Sequence, residues 1–568
     1  MGERKGGSEE PPDTSINDFD DILVLIGEFG TYQKLLFVFL TIASMLQSMG
    51  YAAVVFIELT PSFRCKLPSL PNDTFKSEGE WHKHIVDVSL MNVTDGKCTV
   101  PQNTSPFGDA FQNETKPEKC TEWVFDTTDV TYSYPMQFSL VCDHSSKLTN
   151  SYITNVLGTL VGGPLYGVIA DVAGRKVALL LGLFLSGVSG IAWAFSPTYD
   201  WSVAFRFLYG LGISALYGLS STLALEMVGP NRRMGVGTGL AFAYSAGATA
   251  TVGIAYFLRD WRHLQLAMSA PCLLSAVIMF WCLPESPRWL LTRGRHKLAH
   301  KILKRTARIN GTLLPEDLIG KVEINEPPTA SARALLRAPK LMLKMLLLYV
   351  NWFVADMTYF GLNLHAGNMA GDIYFNFLLL TLIEYPANAV CFTIDRFGRK
   401  KPFILFIIAG ALACLAPLLV QEYADKDLES THYIKIALFA IGKFGMTAAY
   451  NVLYIWSIEV FPTVTRNFSM GLGSVSAALG NMLCPVIVRD IKVEAIGKDT
   501  LPLVIFGAAA IFGSVCTIPL PETAKRDLPE TIEDANTFKH RRPLTDRKDD
   551  HAHPDKVVIA VISETTRL

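Results

Sequence analysis

Twelve long apolar segments, six on either side of a charged middle, govern what this chain of 568 residues can fold into. The first, Tyr32 to Leu59, reads YQKLLFVFLTIASMLQSMGYAAVVFIEL and can cross a hydrocarbon layer about 30 Å thick. Comparable segments fall near 151–170, 177–196, 202–224, 236–258 and 264–283. They resume near 341–363, 373–394, 402–420, 433–458, 467–488 and 501–520. Hydrocarbon offers backbone amides no water, so segments of this length must be helices. Several carry Gly, Ser and Tyr, as in LYGLGISALYGLSSTLALEM from Leu208 to Met227. Small residues let helices approach, and polar ones need a neighbour or a wet cavity. The expectation is an all-α polytopic membrane protein. Only 18% of residues are charged, against roughly 25% in soluble domains. A net charge of −1 gives no footing for nucleic-acid binding.

Topology follows from the Lys/Arg bias. The stretch 284–340 holds twelve basic residues against five acidic ones, which places it and both termini in the cytoplasm. The N-terminal tail, 1–31, is polar and acidic, unlike a cleaved signal or a mitochondrial transit peptide. Residues 61–146 then lie outside, with sequons at Asn72, Asn92, Asn103 and Asn113 and with Cys65, Cys98, Cys120 and Cys142. Four cysteines in an oxidising loop allow two bridges and three pairings. A multi-pass plasma-membrane location is expected. Asn310 also begins a sequon, NGT, but on the cytoplasmic side, where it should stay unmodified.

The two halves repeat each other. GVIADVAGRK sets Asp171 four residues before Arg175, and CFTIDRFGRK sets Asp395 four before Arg399. Glu226 and Arg233 are seven apart in EMVGPNRR, as are Glu459 and Arg466 in EVFPTVTR. PESPRW closes the sixth segment and PLPETAKR the twelfth. A duplicated six-helix unit results, 32–283 and 341–520, joined by a connector at 284–340 and followed by a tail at 521–568. Two such bundles enclose a cavity that rocking can expose to either side. The eight charged motif residues are candidates for a cytoplasmic gate, pairing across the bundle interface when that side closes.

These motifs, with GEFGTYQK at 27–34, the long first outer loop, PESPRWLLTRGR at 284–295, DRFGRKK at 395–401 and EVFPTVTRN at 459–467, give the chain a close resemblance to the organic ion transporters of the major facilitator superfamily. That family includes organic cation, organic anion and carnitine carriers. The resemblance spans about residues 20–530 and implies alternating access around a central site for small organic ions.

Within the spans, charge beside aromatics marks candidate site residues. The seventh supplies Trp352, Asp356, Tyr359 and Phe360, the eighth Glu384 and Asn388, and the tenth Lys443, Tyr450, Asn451 and Tyr454. Aromatic walls can hold an organic ammonium, and intramembrane charge is costly without a partner. Glu384 and Lys443 either line the cavity or form a fixed ion pair. The resemblance implies cavity positions for Trp352, Tyr359, Glu384 and Asn451. Lys443 matches a lysine of anion and carnitine carriers. Two departures stand out: Ala355 occupies the place of the cation carriers' acid, with Asp356 one residue beyond, and Ala478 sits where cation carriers have Asp and anion carriers Arg. Arg206 is either a positive partner for a zwitterion or an inter-helix brace. Transport of organic cations or carnitine-like zwitterions is expected, with organic anions as the alternative and a non-transporting receptor behind them.

Enzymatic readings have little support. GVGTGL at 235–240 lacks the dinucleotide spacing, and the WHKH and HAH histidines lack further metal ligands. No cofactor is expected; sodium or proton coupling is left open. PRWLLTRGRHKLAHKILKRTARI should form amphipathic connector helices. The end, Thr566-Arg567-Leu568, suits a PDZ groove. The expected transport unit is a monomer in the lipid bilayer.

Overall fold

The computed structural model describes residues 19–67, 73–76, 79–80, 97–101, 117–314, 338–369, 371–423, 429–462, 465–491, 500–524, 529 and 532–537. A short helix, α1 (Phe19–Leu25), precedes the first span, α2 (Thr31–Ile57). After the loop come α3 (Tyr134–Phe138), α4 (Ser145–Ala173) and α5 (Arg175–Ala194). The fourth span is broken at Ser214, behind Gly210 and Gly212, into α6 (Tyr199–Ile213) and α7 (Ala215–Glu226). Then α8 (Arg233–Phe257) and α9 (Trp261–Cys282) complete the first half. The connector begins with α10 (Pro287–Thr292) and α11 (His296–Asn310). The second half comprises α12 (Pro339–His365), α13 (Ile373–Ala389), α14 (Ile394–Phe397), α15 (Lys400–Tyr423), α16 (Glu429–Val460), α17 (Arg466–Pro485) and α18 (Leu501–Cys516), and α19 (Ile532–Thr537) follows in the tail.

Helix starts are written locally. Asp260 accepts from the Arg262 amide at 2.8 Å and Asp372 from those of Tyr374 and Phe375 at 2.7 and 3.0 Å, relieving otherwise unpaired N-terminal donors. Among the described residues eleven spans are long and apolar enough to cross a membrane, where the sequence suggested twelve. The shortfall is at α18, whose 16 residues make only about 24 Å of helix. Its apolar stretch runs on into a turn at 517–519.

Pairing of the spans repeats between the halves. In the first, α2 packs on α8 and α9, α4 on α6, and α5 on α6 and α9. In the second, α12 packs on α17 and α18, α13 on α16, and α15 on α16 and α18. The halves meet through α8 against α13 and α4 against α17, a reciprocal exchange that leaves a junction down the middle. One apolar core runs through both halves.

Between α2 and α3 lie two short antiparallel ribbons: β1 (Phe63–Cys65) with β4 (Trp123–Phe125), and β2 (Thr99–Pro101) with β3 (Pro117–Lys119). Of the three pairings open to the four cysteines, the fold takes Cys65–Cys120 and Cys98–Cys142. The sequons at Asn72, Asn92, Asn103 and Asn113 and the PDZ-like end lie outside the described residues.

One expectation needs correction. The segment 1–31 is not simply a polar tail, because α1 turns Phe19, Ile22 and Leu23 onto Trp289, Leu290, Leu291, Ala299 and Leu303 of the connector. Asn310, at the end of α11, ties this assembly to the first span. Its carbonyl oxygen accepts from the Tyr32 amide at 3.0 Å, and its amide nitrogen donates to the Ile26 carbonyl and Gln33 Oε1 at 2.9 and 2.8 Å.

Candidate substrate site and its rims

At the junction, α12, α13 and α16 of the second half face α2, α7 and α8 of the first. Glu384 and Lys443 are buried together, with Nζ 3.0 Å from Oε1. Each is held by more than its partner. Tyr359 donates its hydroxyl to Glu384 Oε1 at 2.7 Å, and Lys443 donates to Asn363 Oδ1 at 2.8 Å while lying 3.3 Å from the centre of the Tyr359 ring. A buried ion pair needs such added bonds, since desolvation otherwise cancels its attraction. The pair also reaches across the junction. Ser245 on α8 donates to Glu384 Oε2 at 3.0 Å and accepts from Asn388 at 3.0 Å, and Asn451 donates to Asn388 at 2.7 Å.

Aromatic rings wall this cluster. Tyr359 packs on Phe360 and Tyr450 with centroids 5.1 and 6.0 Å apart. Trp352 lies edge-on to Tyr450 and Tyr454, and its indole donates to Ser457 at 3.0 Å. From the first half Tyr51 meets Phe360 at 5.5 Å, and Tyr217 meets Tyr244 at 5.8 Å. Tyr454 is 42% exposed although it touches buried Trp352, which puts it on an open side of the junction. The structure thus brings Trp352, Tyr359, Glu384, Lys443 and Asn451 together. Ala478 lies apart, packed on Val54, Tyr152 and Val156 where α17 meets α2 and α4. Ser245, Tyr51 and Tyr244 were not singled out in the sequence, where a serine or tyrosine amid apolar residues carries little signal.

Arg206 is a brace. Its guanidinium pairs with Glu58, donates to Ser151 at 3.0 Å and stacks over Trp193 at 4.7 Å. Glu58 binds Arg489 of the second half with its other oxygen, at 2.6 Å. Nearby, Thr149 donates to Asp490 at 3.1 Å and Tyr152 to Asn481 at 2.9 Å. Hydrogen bonds between the halves therefore run from the end bearing the disulfide loop down to Ser245 and Asn388.

At the connector end each half builds the same rim. Arg175 bonds the Ala170 carbonyl and Glu226, as Arg399 bonds the Ile394 carbonyl and Glu459. Glu285 of PESPRW accepts from the Arg175, Lys176 and Ser286 amides at 2.8, 3.2 and 3.0 Å. Glu522 of PLPETAKR does the same for Arg399 and Lys400. Burial raises the Glu285 carboxyl above its ordinary range, and those three amides and the Arg175 charge oppose the shift. These bonds lie within one bundle, not across the interface as the sequence suggested. Among the described residues Arg233 pairs not with Glu226 or the second half but with Asp20 of α1, at 2.6 Å. Asp171 is 3.3 Å from Arg175 and largely exposed, the Asp395 side chain lies outside the described residues, and Arg466 donates to the Phe461 carbonyl at 3.4 Å. Among the described residues no cluster of His, Cys, Asp and Glu is arranged to hold a metal.

A family profile described as sugar (and other) transporter matches residues 101–535. The chain is 31% identical to the organic cation transporter protein of Drosophila melanogaster, over 92% of this chain and 95% of that one. It is 30% identical to solute carrier family 22 member 2 of Mus musculus, over 93% and 97% of the two chains. Among solved structures, the partially occluded inward-open form of the xylose transporter XylE from E. coli superposes with a TM-score of 0.59 at 15% identity, covering 88% of this chain and all of that one. The duplicated fold, the repeated rim and these likenesses agree: the chain belongs to the organic cation transporters, solute carrier family 22, within the sugar (and other) transporter group of the major facilitator superfamily.

Proposed function

We propose that the protein carries small organic cations and amine-containing zwitterions, such as carnitine-like compounds, across the plasma membrane by alternating access. The observation that supports this most is the buried Glu384–Lys443 pair, set among tyrosines at the junction and bonded to the first half through Ser245. A zwitterion can exchange that internal pair for two, its ammonium on Glu384 and its carboxylate on Lys443, without stranding either charge. Trp352, Tyr359 and Asn451 shape the pocket around it. Relatives named as organic cation transporters support the same substrate class. The organic-anion alternative rests on Lys443 and on the absence of an acid at Ala478.

In this proposal α18 is the twelfth span, completed by the turn after Cys516. The bundles 32–283 and 341–520 move about the connector 284–340. The disulfide loop faces outward and both termini face the cytoplasm. The bonds among Glu58, Arg206, Arg489, Thr149 and Asp490 then close the outer side, while the rim motifs of Asp171, Arg175, Glu226, Arg233, Asp395, Arg399, Glu459 and Arg466 stand apart as an inward-facing gate. The tail 521–568 docks a PDZ scaffold through Thr566-Arg567-Leu568.

Uptake into reconstituted vesicles tests the reading, with tetraethylammonium, carnitine and p-aminohippurate as probes and with voltage, sodium and pH set independently. Saturable uptake of the first two is expected. Uptake of p-aminohippurate alone would favour the anion carrier, and binding without uptake a receptor.

A further inference from the structure

Asp356 is a buried acid to which the proposed cycle gives no task. It lies on α12 one turn before Tyr359 and Phe360, and is only 6% exposed. Among the described residues the other two buried carboxylates near the junction are compensated: Glu384 by Lys443, and Glu58 by Arg206 and Arg489. Asp356 has no Lys, Arg or His partner among the described residues. The polar groups bearing on it are tyrosine hydroxyls and the Cys484 thiol. The Tyr450 hydroxyl is placed to donate to it, and Tyr51, Tyr152 and Tyr244 lie within electrostatic reach. These tyrosines come from four helices on both sides of the junction, and the Tyr450 ring also packs on Tyr359 and Trp352, 6.0 and 5.7 Å away.

A lone carboxylate in such a place must hold a proton or receive a cation. Packing alone would be served as well by Asn or Leu. A simple cation, moreover, gains little at Glu384, because displacing Lys443 would strand a buried ammonium. Tyrosines near an uncompensated acid suit a weakly hydrated alkylammonium, which charge and cation–π attraction can hold together. We infer that Asp356, with Tyr51, Tyr244 and Tyr450, forms a second cation subsite that takes the ammonium of simple organic cations, leaving the Glu384–Lys443 pair to zwitterions.

The inference rests on the transport reading above, and the two fail differently. The test compares the half-saturation concentrations of tetraethylammonium and carnitine in vesicles holding equal amounts of wild-type, Asp356→Asn or Glu384→Gln protein. Asp356→Asn should raise the tetraethylammonium value at least about tenfold while moving that of carnitine less than about threefold, and Glu384→Gln should do the reverse. An unchanged tetraethylammonium value in Asp356→Asn overturns the subsite. Wild-type protein that carries neither probe overturns the transport reading instead. If Asp356→Asn does not fold, the wild type suffices. Tetraethylammonium should protect Asp356 from dicyclohexylcarbodiimide, read by peptide mass spectrometry, and equal modification with and without it overturns the assignment.

Discussion

Lys443 and Glu384 show how a charge becomes tolerable inside a membrane span. Lys443 spends its donors on Glu384 and Asn363 and rests on the Tyr359 ring, while Glu384 accepts from Lys443, Tyr359 and Ser245. Removing one partner strands the other, which typically costs about 3–5 kcal/mol. Glu384→Gln and Lys443→Met should each lower the melting temperature of purified protein, and the double variant should recover part of the loss. Additive losses would dismiss the pair as an energetic unit. Both residues were legible in the sequence because a charge inside an apolar run stands out against its neighbours. Ser245 was not, since its role depends on a carboxylate 139 residues away on a helix of the other half. Arg206 was legible as a charge that either met a substrate or braced helices, with nothing to choose between the two. That it is a brace depends on Glu58, which the fold alone sets between Arg206 and Arg489.

Among the elements, α5 and α15 begin by the same device. A glycine with positive φ, Gly174 at 114° or Gly398 at 90°, turns the chain so that a distant glutamate can cap the next helix. A Cβ at Gly174 would sit 2.2 Å from Glu285 Oε2, so the space is already taken by the cap. Burial raises the Glu285 carboxyl, so the folded protein favours its protonated form more than the unfolded chain does. That contribution is complete below the ordinary glutamate range and is lost as pH rises through the raised folded value. Glu285→Gln has no proton to lose, so its melting temperature relative to wild type should rise with pH across this window. A constant difference would remove Glu285 as the cause. The repeat behind this device was readable because each copy is short and local. The α1 helix was not: seven residues hold barely two turns, and their apolar face has meaning only against α10 and α11. The shortness of α18 was equally hidden, since hydropathy continues past the point where its helix ends.

For the whole molecule, the reciprocal contacts of α8 with α13 and of α4 with α17 make the junction a place of exchange, where one set of bonds must yield before another can form. At the loop end that set centres on Glu58, shared between Arg206 of its own half and Arg489 of the other. Arg489→Met cuts the link between halves and leaves the Arg206 brace in place. The population open on the loop side should grow, and a thiol reagent confined to that side should label Ala478→Cys several-fold faster in this background. Equal labelling would mean that Arg489 does not help hold the loop end shut.

The anchorage of Asn310 carries a consequence for how the chain is made. Its amide bonds the start of the first span, 278 residues behind it, so a ribosome must deliver six spans before that first span gains its final neighbour. Until then α1 lacks the apolar surface of α10 and α11 on which Phe19, Ile22 and Leu23 pack, although Arg233 can already pair with its Asp20. A nascent chain that stops before the connector therefore leaves Tyr32 and Gln33 without the Asn310 side chain that both bond in the finished half.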